Sequence, residues 1–258
     1  MADPLPISAV IVARNEARAL PRCLASVRGW TSEILVALNE TTDDSAEISR
    51  EYGARVVDLP WRGFRDTKNA AVDLAAQPWA LCLDADEEVS PELKAAIADF
   101  FGRRDLGQFA GARFPRRVHF LGRWILHGDW YPDISLRLLR RGRGKWTGDA
   151  IVHERISCDG PVASLRGNLN HYSFPTLSSQ VAKINPFADL YLEQQKAAGR
   201  PFSPAAAVFR PAWRFFRGYV LRRGFLDGYP GFYIACANAF AVLVRQSRLY
   251  EWERGKPR

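Results

Sequence analysis

The 258-residue sequence lacks the features that mark secreted or membrane-spanning chains. Its four cysteines are scattered without a CxxC pair, and Cys82 and Cys236 lie in apolar runs, so we expect small core residues in a reducing compartment. The first residues have no basic segment or cleavage site of a signal peptide. No apolar run reaches the ~20 residues of a membrane span. We therefore expect a cytoplasmic protein.

The composition is that of a folded protein with a basic surface. Hydrophobic residues make up 47% and charged residues 25% of the chain, which is ordinary for a soluble domain. The formal net charge is +8, so a polyanion, an anionic membrane or a phosphorylated substrate is the expected class of partner.

The first hundred residues alternate strand and helix patterns. The predicted strands are Ile7–Ala13, Glu33–Leu38, Arg55–Leu59 and Trp79–Leu83, and the predicted helices are Asn15–Val27, Thr42–Tyr52 and Asp66–Ala76. Strands joined by single helices indicate βαβ crossovers. We expect an α/β fold with a mostly parallel central sheet flanked by helices.

The pattern changes twice in the rest of the chain. Short strands are predicted at Ala110–Phe114, Leu136–Leu139 and Ile151–Ile156, and helices at Gln180–Ala198, Pro211–Arg223 and Ile234–Glu253. Pro211 is read as a first-turn proline. The expected domains are 1–175, with halves 1–100 and 101–175, and a helical C-terminal extension, 176–258.

The fourth predicted strand ends in the segment LCLDADEEVS, which carries four carboxylates. Helix capping explains Asp84 and Asp86 poorly, because Ser90 and Pro91 already supply a helix start. Ligands of open parallel sheets bind at the carboxyl ends of the strands, where the polar residues after the first and second strands also collect. Oxygen ligands suit Mg²⁺ or Mn²⁺ that bridges to a diphosphate.

The order of VIVARNEARALPRCLASV, ILVALNETTDDSAEIS, FRDTKNAAVDLA and ALCLDADEEVSPEL resembles glycosyltransferase family 2, which has the inverting GT-A fold. The later segments WYPDISLRLLRR, HERI, LNHYSF and RGFLDGYPGF are similar to its lipopolysaccharide-core β-glucosyltransferase branch.

The resemblance implies a nucleotide-sugar site. Asn15 and Glu16 fall where the family contacts uracil and ribose, and Leu38 stands where a uracil-binding Asp is expected, so Asn39 is the candidate substitute. The implied nucleotide-sugar residues are Ala13, Asn15, Glu16, Asn39, Lys68, Asn69, Asp84, Ala85, Asp86 and Arg137.

Glycosyl transfer also needs a base for the acceptor hydroxyl. The candidate is Asp133, with Asp129 as the alternative, although Asp133 could also simply cap a turn after Pro132. The expected metal ligands are Asp84, Asp86 and His153, and a structural role for His153 is an equal alternative. His171 and His119 are weaker candidates.

The predicted helix Pro211–Arg223 places Trp213, Phe216 and Val220 on one face, with Arg214 and Arg217 beside it. Core packing is the ordinary reading of such a stripe, but it also suits a helix at a membrane surface. No nucleic-acid motif accompanies it. We expect a metal-dependent transferase that moves a hexose from a UDP-sugar to a lipid-linked saccharide at the inner membrane face. The alternative is a non-catalytic UDP-sugar-binding protein.

Overall fold

The structure, a computed structural model, describes residues 3–148 and 154–255. The chain divides into two compact units, and each is built from two separate stretches. Unit 1 comprises Met1–Arg116 and Asp133–His171, and unit 2 comprises Arg117–Pro132 and Tyr172–Arg258. The domain boundary expected at residue 175 stays a prediction.

Unit 1 is built around a mixed sheet with helices. The strands in chain order are β1 (Leu5–Ala13), β2 (Thr31–Leu38), β3 (Arg55–Asp58), β4 (Trp79–Asp84), β5 (Glu87–Val89), β6 (Gly111–Phe120), β7 (Arg123–Trp124), β8 (Asp133–Arg140), β9 (Gly144–Thr147), β10 (Arg155–Cys158), β11 (Val162–Ser164) and β12 (Leu169–His171). The helices are α1 (Leu20–Val27), α2 (Ser45–Glu51), α3 (Phe64–Asp73), α4 (Pro91–Phe101), α5 (Leu177–Ala182), α6 (Ile184–Ala197), α7 (Pro204–Phe216) and α8 (Gly228–Arg254).

The sheet order is β3-β2-β1-β4-β8-β6-β12-β5, and its two halves differ in direction. Strands β3, β2, β1 and β4 are parallel, and their apolar runs are covered on both faces, as expected of buried strands. Strand β8 pairs antiparallel with both β4 and β6. The predicted α/β class is confirmed, with the parallel part confined to the first four strands.

Three helix predictions were wrong in detail. Helix α1 begins at Leu20 instead of Asn15, because Asn15 has a left-handed backbone with φ of +54° and cannot start a helical turn. The expected helix Gln180–Ala198 is two helices, α5 and α6. Helix α7 begins at Pro204, where the Ser203 side chain accepts a hydrogen bond from the N–H of Ala206, so Pro211 lies inside the helix.

Unit 2 joins α5 to α8 to the segment 117–132. The Asp227 carboxylate accepts hydrogen bonds from the N–H groups of Leu126 (3.1 Å) and His127 (2.8 Å), and it also contacts the His127 ring at 3.1 Å. Phe120, Ile125 and Ile234 form a small buried core. Among the helices of the described residues, none combines the length and the apolar character of a bilayer span.

Candidate functional site

The loops after β1 and β2 are fastened to each other at the carboxyl edge of the sheet. Asn15 accepts a hydrogen bond from the N–H of Thr42 (2.8 Å), and Asp43 accepts one from the N–H of Ala17 (3.0 Å). Asp43 also accepts from the N–H of Ser45 at 3.1 Å, which is the capping role that the sequence allowed for it.

Asn39 and Glu16 lie within this edge. Asn39 is buried, and its N–H donates to the carbonyl of Ala13 at 3.2 Å. Burial raises the pKa of the Glu16 carboxyl, and the nearby charges of Asp86, Asp43 and Asp84 raise it further. The polar strand ends are therefore brought together as expected. Ala13 and Ala85, both predicted in the donor site, are buried at the ends of their strands.

Both carboxylate oxygens of Asp84 are paired with cations of the protein. Lys68 Nζ lies 3.0 Å from Oδ1, and Arg137 Nη2 lies 2.8 Å from Oδ2. Burial raises the pKa of Asp84, but the charges of Arg137 and then Lys68 outweigh burial, so that the pKa lies well below its usual range.

Glu87 is fully buried and extends this pairing. It accepts hydrogen bonds from Arg137 (2.8 Å), from Arg116 (2.9 Å) and from the N–H of Asp84 (2.9 Å). Arg116 then reaches Asp133, with Nη2 2.6 Å from Oδ2.

At the other end, Lys68 Nζ lies 2.7 Å from Glu154. The result is an ion-pair chain of seven residues with alternating charge, namely Asp133, Arg116, Glu87, Arg137, Asp84, Lys68 and Glu154. The chain carries four carboxylates and three cations, so a net charge of −1 remains along it. Two of the acids of LCLDADEEVS are thus neutralised by the protein itself.

Lys68 and Asn69 occupy α3, beside Trp146 of β9. Lys68 Nζ lies 4.5 Å from the centre of the Trp146 ring, a cation–π distance. The Asn69 amide donates to the Trp146 carbonyl (3.0 Å) and accepts from its N–H (2.9 Å). Asn69 thereby attaches α3 to β9, and its expected contact with the nucleotide stays a prediction.

Asp86 lies apart from the ion-pair chain and faces a histidine. Its Oδ2 lies 3.3 Å from Nε2 of His171 in β12, and both side chains are partly buried. Nδ1 of His171 is buried and has no hydrogen-bond partner among the residues described. A carboxylate and an imidazole nitrogen are both ligands of divalent first-row metals, so this pair fits such an ion. His153, the expected histidine ligand, lies outside the described residues.

The two candidate bases have different surroundings. Asp133 begins β8, and its side chain is 42% exposed beside Arg116. Asp129 is 1% exposed and contacts three arginines of unit 2, Arg214, Arg217 and Arg222. A base must be accessible to the acceptor hydroxyl, which favours Asp133 over Asp129.

The sequence missed several members of the site. Glu87, Arg116 and Glu154 were assigned no role of their own, and His171 was ranked low. The one local signal was the surplus of acids in LCLDADEEVS, which indicated that nearby cations were needed, but nothing in the spacing identified Arg116 or Arg137 as those cations.

Comparisons with known proteins agree on the class of this protein. The family model described as "Glycosyl transferase family 2" matches residues 8–158. A relative from Rhizobium meliloti, "Lipopolysaccharide core biosynthesis glycosyltransferase LpsC", is 28% identical over 97% of this chain and 94% of its own length. An uncharacterized glycosyltransferase of Rickettsia typhi is 27% identical over 95% of this chain and 87% of its own.

Among solved structures, S. aureus TarS 1–349 in complex with UDP-GlcNAc matches 98% of this chain and 93% of its own with a TM-score of 0.50. The identity to TarS is 11%, so this match concerns the fold alone, and it confirms the expected GT-A fold.

Proposed function

Because the chain belongs to glycosyltransferase family 2, we propose that it transfers a hexose, glucose, from a UDP-sugar to a lipid-linked saccharide such as a lipopolysaccharide core precursor. The observation that carries this proposal is the ion-pair chain, which leads from the conserved-type acidic strand end at Asp84 to the accessible carboxylate of Asp133. The full-length likeness to a relative named for lipopolysaccharide core biosynthesis supports the class of acceptor.

Asp86 and His171 are the residues that would hold a divalent metal, Mn²⁺ or Mg²⁺. Such an ion, when bound, neutralises the charge that grows on the departing diphosphate. The original expectation included Asp84 as a ligand. Its two oxygens are committed to Lys68 and Arg137, so we assign Asp84 the task of orienting these two cations.

Lys68 and Arg137 lie where they can balance the charge of the donor. Burial lowers the pKa of Lys68, but the charge of Asp84 outweighs burial and the pKa is raised, so the ammonium group stays charged at neutral pH. Preorganised cations stabilise developing negative charge without the cost of reorientation.

Asp133 is proposed as the base that takes the proton of the acceptor hydroxyl. Arg116 donates to Oδ2 through both Nε (2.8 Å) and Nη2 (2.6 Å), which fixes the carboxylate plane. Oδ1 has one weak contact, from the Ser135 hydroxyl at 3.4 Å, and therefore keeps lone-pair capacity for an incoming hydroxyl.

The acceptor is proposed to be presented at the inner face of the cell membrane. On α7 and its π-helical continuation Arg217–Leu221, an apolar stripe is formed by Phe209, Trp213, Phe216 and Val220, which are 71%, 56%, 45% and 42% exposed. Core packing does not account for side chains this exposed. Large rings beside arginines are typical of helices that lie in the headgroup region of anionic bilayers.

The test combines UDP binding with transfer. We expect UDP to bind more tightly in the presence of Mn²⁺, and Asp86→Ala to remove this metal dependence in a calorimetric titration. Asp133→Asn should bind UDP as the wild type does but lose about 10²- to 10⁴-fold in transfer to core-truncated lipopolysaccharide in detergent. A variant Asp133→Asn with wild-type transfer would refute the assignment of the base.

A further inference from the structure

Unit 2 contains a second basic site that the transfer reaction does not use. An open pocket of about 230 Å³ lies between α6, α7 and α8, and its lining includes Arg210, Arg214, Arg217, Arg245, Trp213 and Tyr191. None of the eight lining residues is acidic. The volume is below the ~300–1,000 Å³ of typical ligand pockets, so it suits one charged group with a sugar ring better than a whole nucleotide.

The charges around this pocket are not balanced within the protein. Asp129 lies 2.9 Å from Arg214, 2.7 Å from Arg217 and 3.2 Å from Arg222, so a single buried carboxylate serves three guanidinium groups. Burial lowers the pKa of Arg214, and although Asp129 raises it, the neighbouring arginines leave it below its usual value.

The other two arginines of the pocket contact an aromatic residue. Arg210 donates to the Tyr191 hydroxyl at 3.4 Å, and the Arg245 guanidinium lies 5.8 Å from the centre of the Tyr191 ring. Within the described part of the chain, Nε of Arg217 is buried without a hydrogen-bond partner. Donors therefore remain for an anion, and guanidinium groups are well suited to phosphate oxygens.

We propose that this pocket binds the phosphate group of a phosphorylated sugar. A phosphomonoester, which carries close to two negative charges at neutral pH, matches a cluster of several arginines around one carboxylate. The Trp213 ring, 56% exposed at the pocket, offers a flat apolar surface to the sugar ring. Asp129 is a positioning residue, because it holds three of the arginines in place without lining the pocket itself.

The carrier of this sugar phosphate rests on the proposed function. Trp213 belongs both to the pocket and to the exposed apolar stripe of α7. A phosphate held here would therefore lie beside the surface proposed to meet the bilayer, and the phosphorylated sugar would be part of the lipid-linked acceptor.

The binding of glucose 1-phosphate tests the pocket without UDP or metal. Calorimetric titration would compare it with inorganic phosphate and with methyl α-glucoside at low salt. We expect glucose 1-phosphate to bind most tightly, and Arg210→Gln or Arg245→Gln to weaken it at least about tenfold, the loss of a charge-assisted hydrogen bond. Neither of these arginines has a contact with Asp129 among the described ion pairs, and circular dichroism would verify that the variants fold.

The matched control is Arg248→Gln, one turn along α8 from Arg245. Arg248 lines a different depression and lies 3.6 Å from Asp189, so its loss should leave glucose 1-phosphate affinity unchanged. Equal weakening by Arg248→Gln would overturn the proposal, because it would show attraction to net charge alone.

A further arm uses phosphatidylglycerol vesicles. Vesicle binding that depends on Arg245, together with no binding of glucose 1-phosphate, would overturn the sugar-phosphate assignment in favour of a lipid headgroup. UDP affinity should be the same in Arg245→Gln and the wild type. A failure of the transferase proposal would appear in the UDP titration and a failure of the pocket in the glucose 1-phosphate titration, so the two are distinguishable.

Discussion

Replacing Glu87 by Gln removes the one charge that two arginines share at the centre of the ion-pair chain. The side chain is fully buried, and its carboxylate lies 2.8 Å from Arg137 and 2.9 Å from Arg116. Breaking a buried pair on one side typically costs about 3–5 kcal/mol, because the partner charge is left without compensation. Gln can still accept from the N–H of Asp84, so we expect the lower end, about 3 kcal/mol.

A loss of this size is easily measured. For a protein of this length it corresponds to a decrease of roughly 6–12 °C in the melting temperature. Thermal and urea unfolding, followed by circular dichroism, would give both values. The matched control is Glu88→Gln, because Glu88 is the next residue, is only half-buried, and accepts one hydrogen bond from Asn170 at 3.1 Å. We expect Glu88→Gln to cost about 1 kcal/mol or less. If both variants lost the same stability, Glu87 would not be a charge shared by two guanidinium groups.

Two further predictions concern other parts of the fold. Glu33 accepts hydrogen bonds from Ser8 and from the N–H of Ala76, and these outweigh burial and lower its pKa. A lowered pKa stabilises the fold above the ordinary value of ~4.3, so Glu33→Gln should cost about 1–2 kcal/mol at pH 7 and progressively less below pH ~4; a cost in urea unfolding that is equal at pH 3 and pH 7 would contradict this. In unit 2, a Cβ on Gly231 would lie 1.9 Å from the backbone oxygen of Gly224, so Gly231→Ala should lose about 3 kcal/mol or more in the same assay, and wild-type stability would show that the two backbones are not in contact.

The sequence predicted the parallel half of the sheet well, because each of its strands is a continuous apolar run followed by a helix pattern. The polar residues at Asn15, Asn39 and Asp84 were expected at one edge for the same reason, and the structure places them there. Arg116 and Arg137 could not be assigned, because they reach Glu87 and Asp84 through antiparallel pairing across distant parts of the chain.

Local rules also failed where two sites satisfied them equally. Pro204 and Pro211 are both acceptable first-turn prolines, and the sequence reading took the second. The structure begins α7 at Pro204 because Ser203 supplies a capping oxygen, which no residue at the start of the expected helix provided. The exposure of the α7 stripe was likewise undecided, since the spacing of apolar residues is the same whether they face a core or a membrane.

The discontinuous build of unit 2 bears on the order in which the chain can fold during synthesis. Residues 117–132 leave the ribosome about a hundred residues before Asp227, whose carboxylate holds Leu126 and His127. They must therefore wait for the last third of the chain before their own packing can form. For the same reason the C-terminal helices are not a detachable module. A fragment starting at residue 172 would lack part of its own core, including Phe120 and Ile125, and a deletion of the helices would expose that segment.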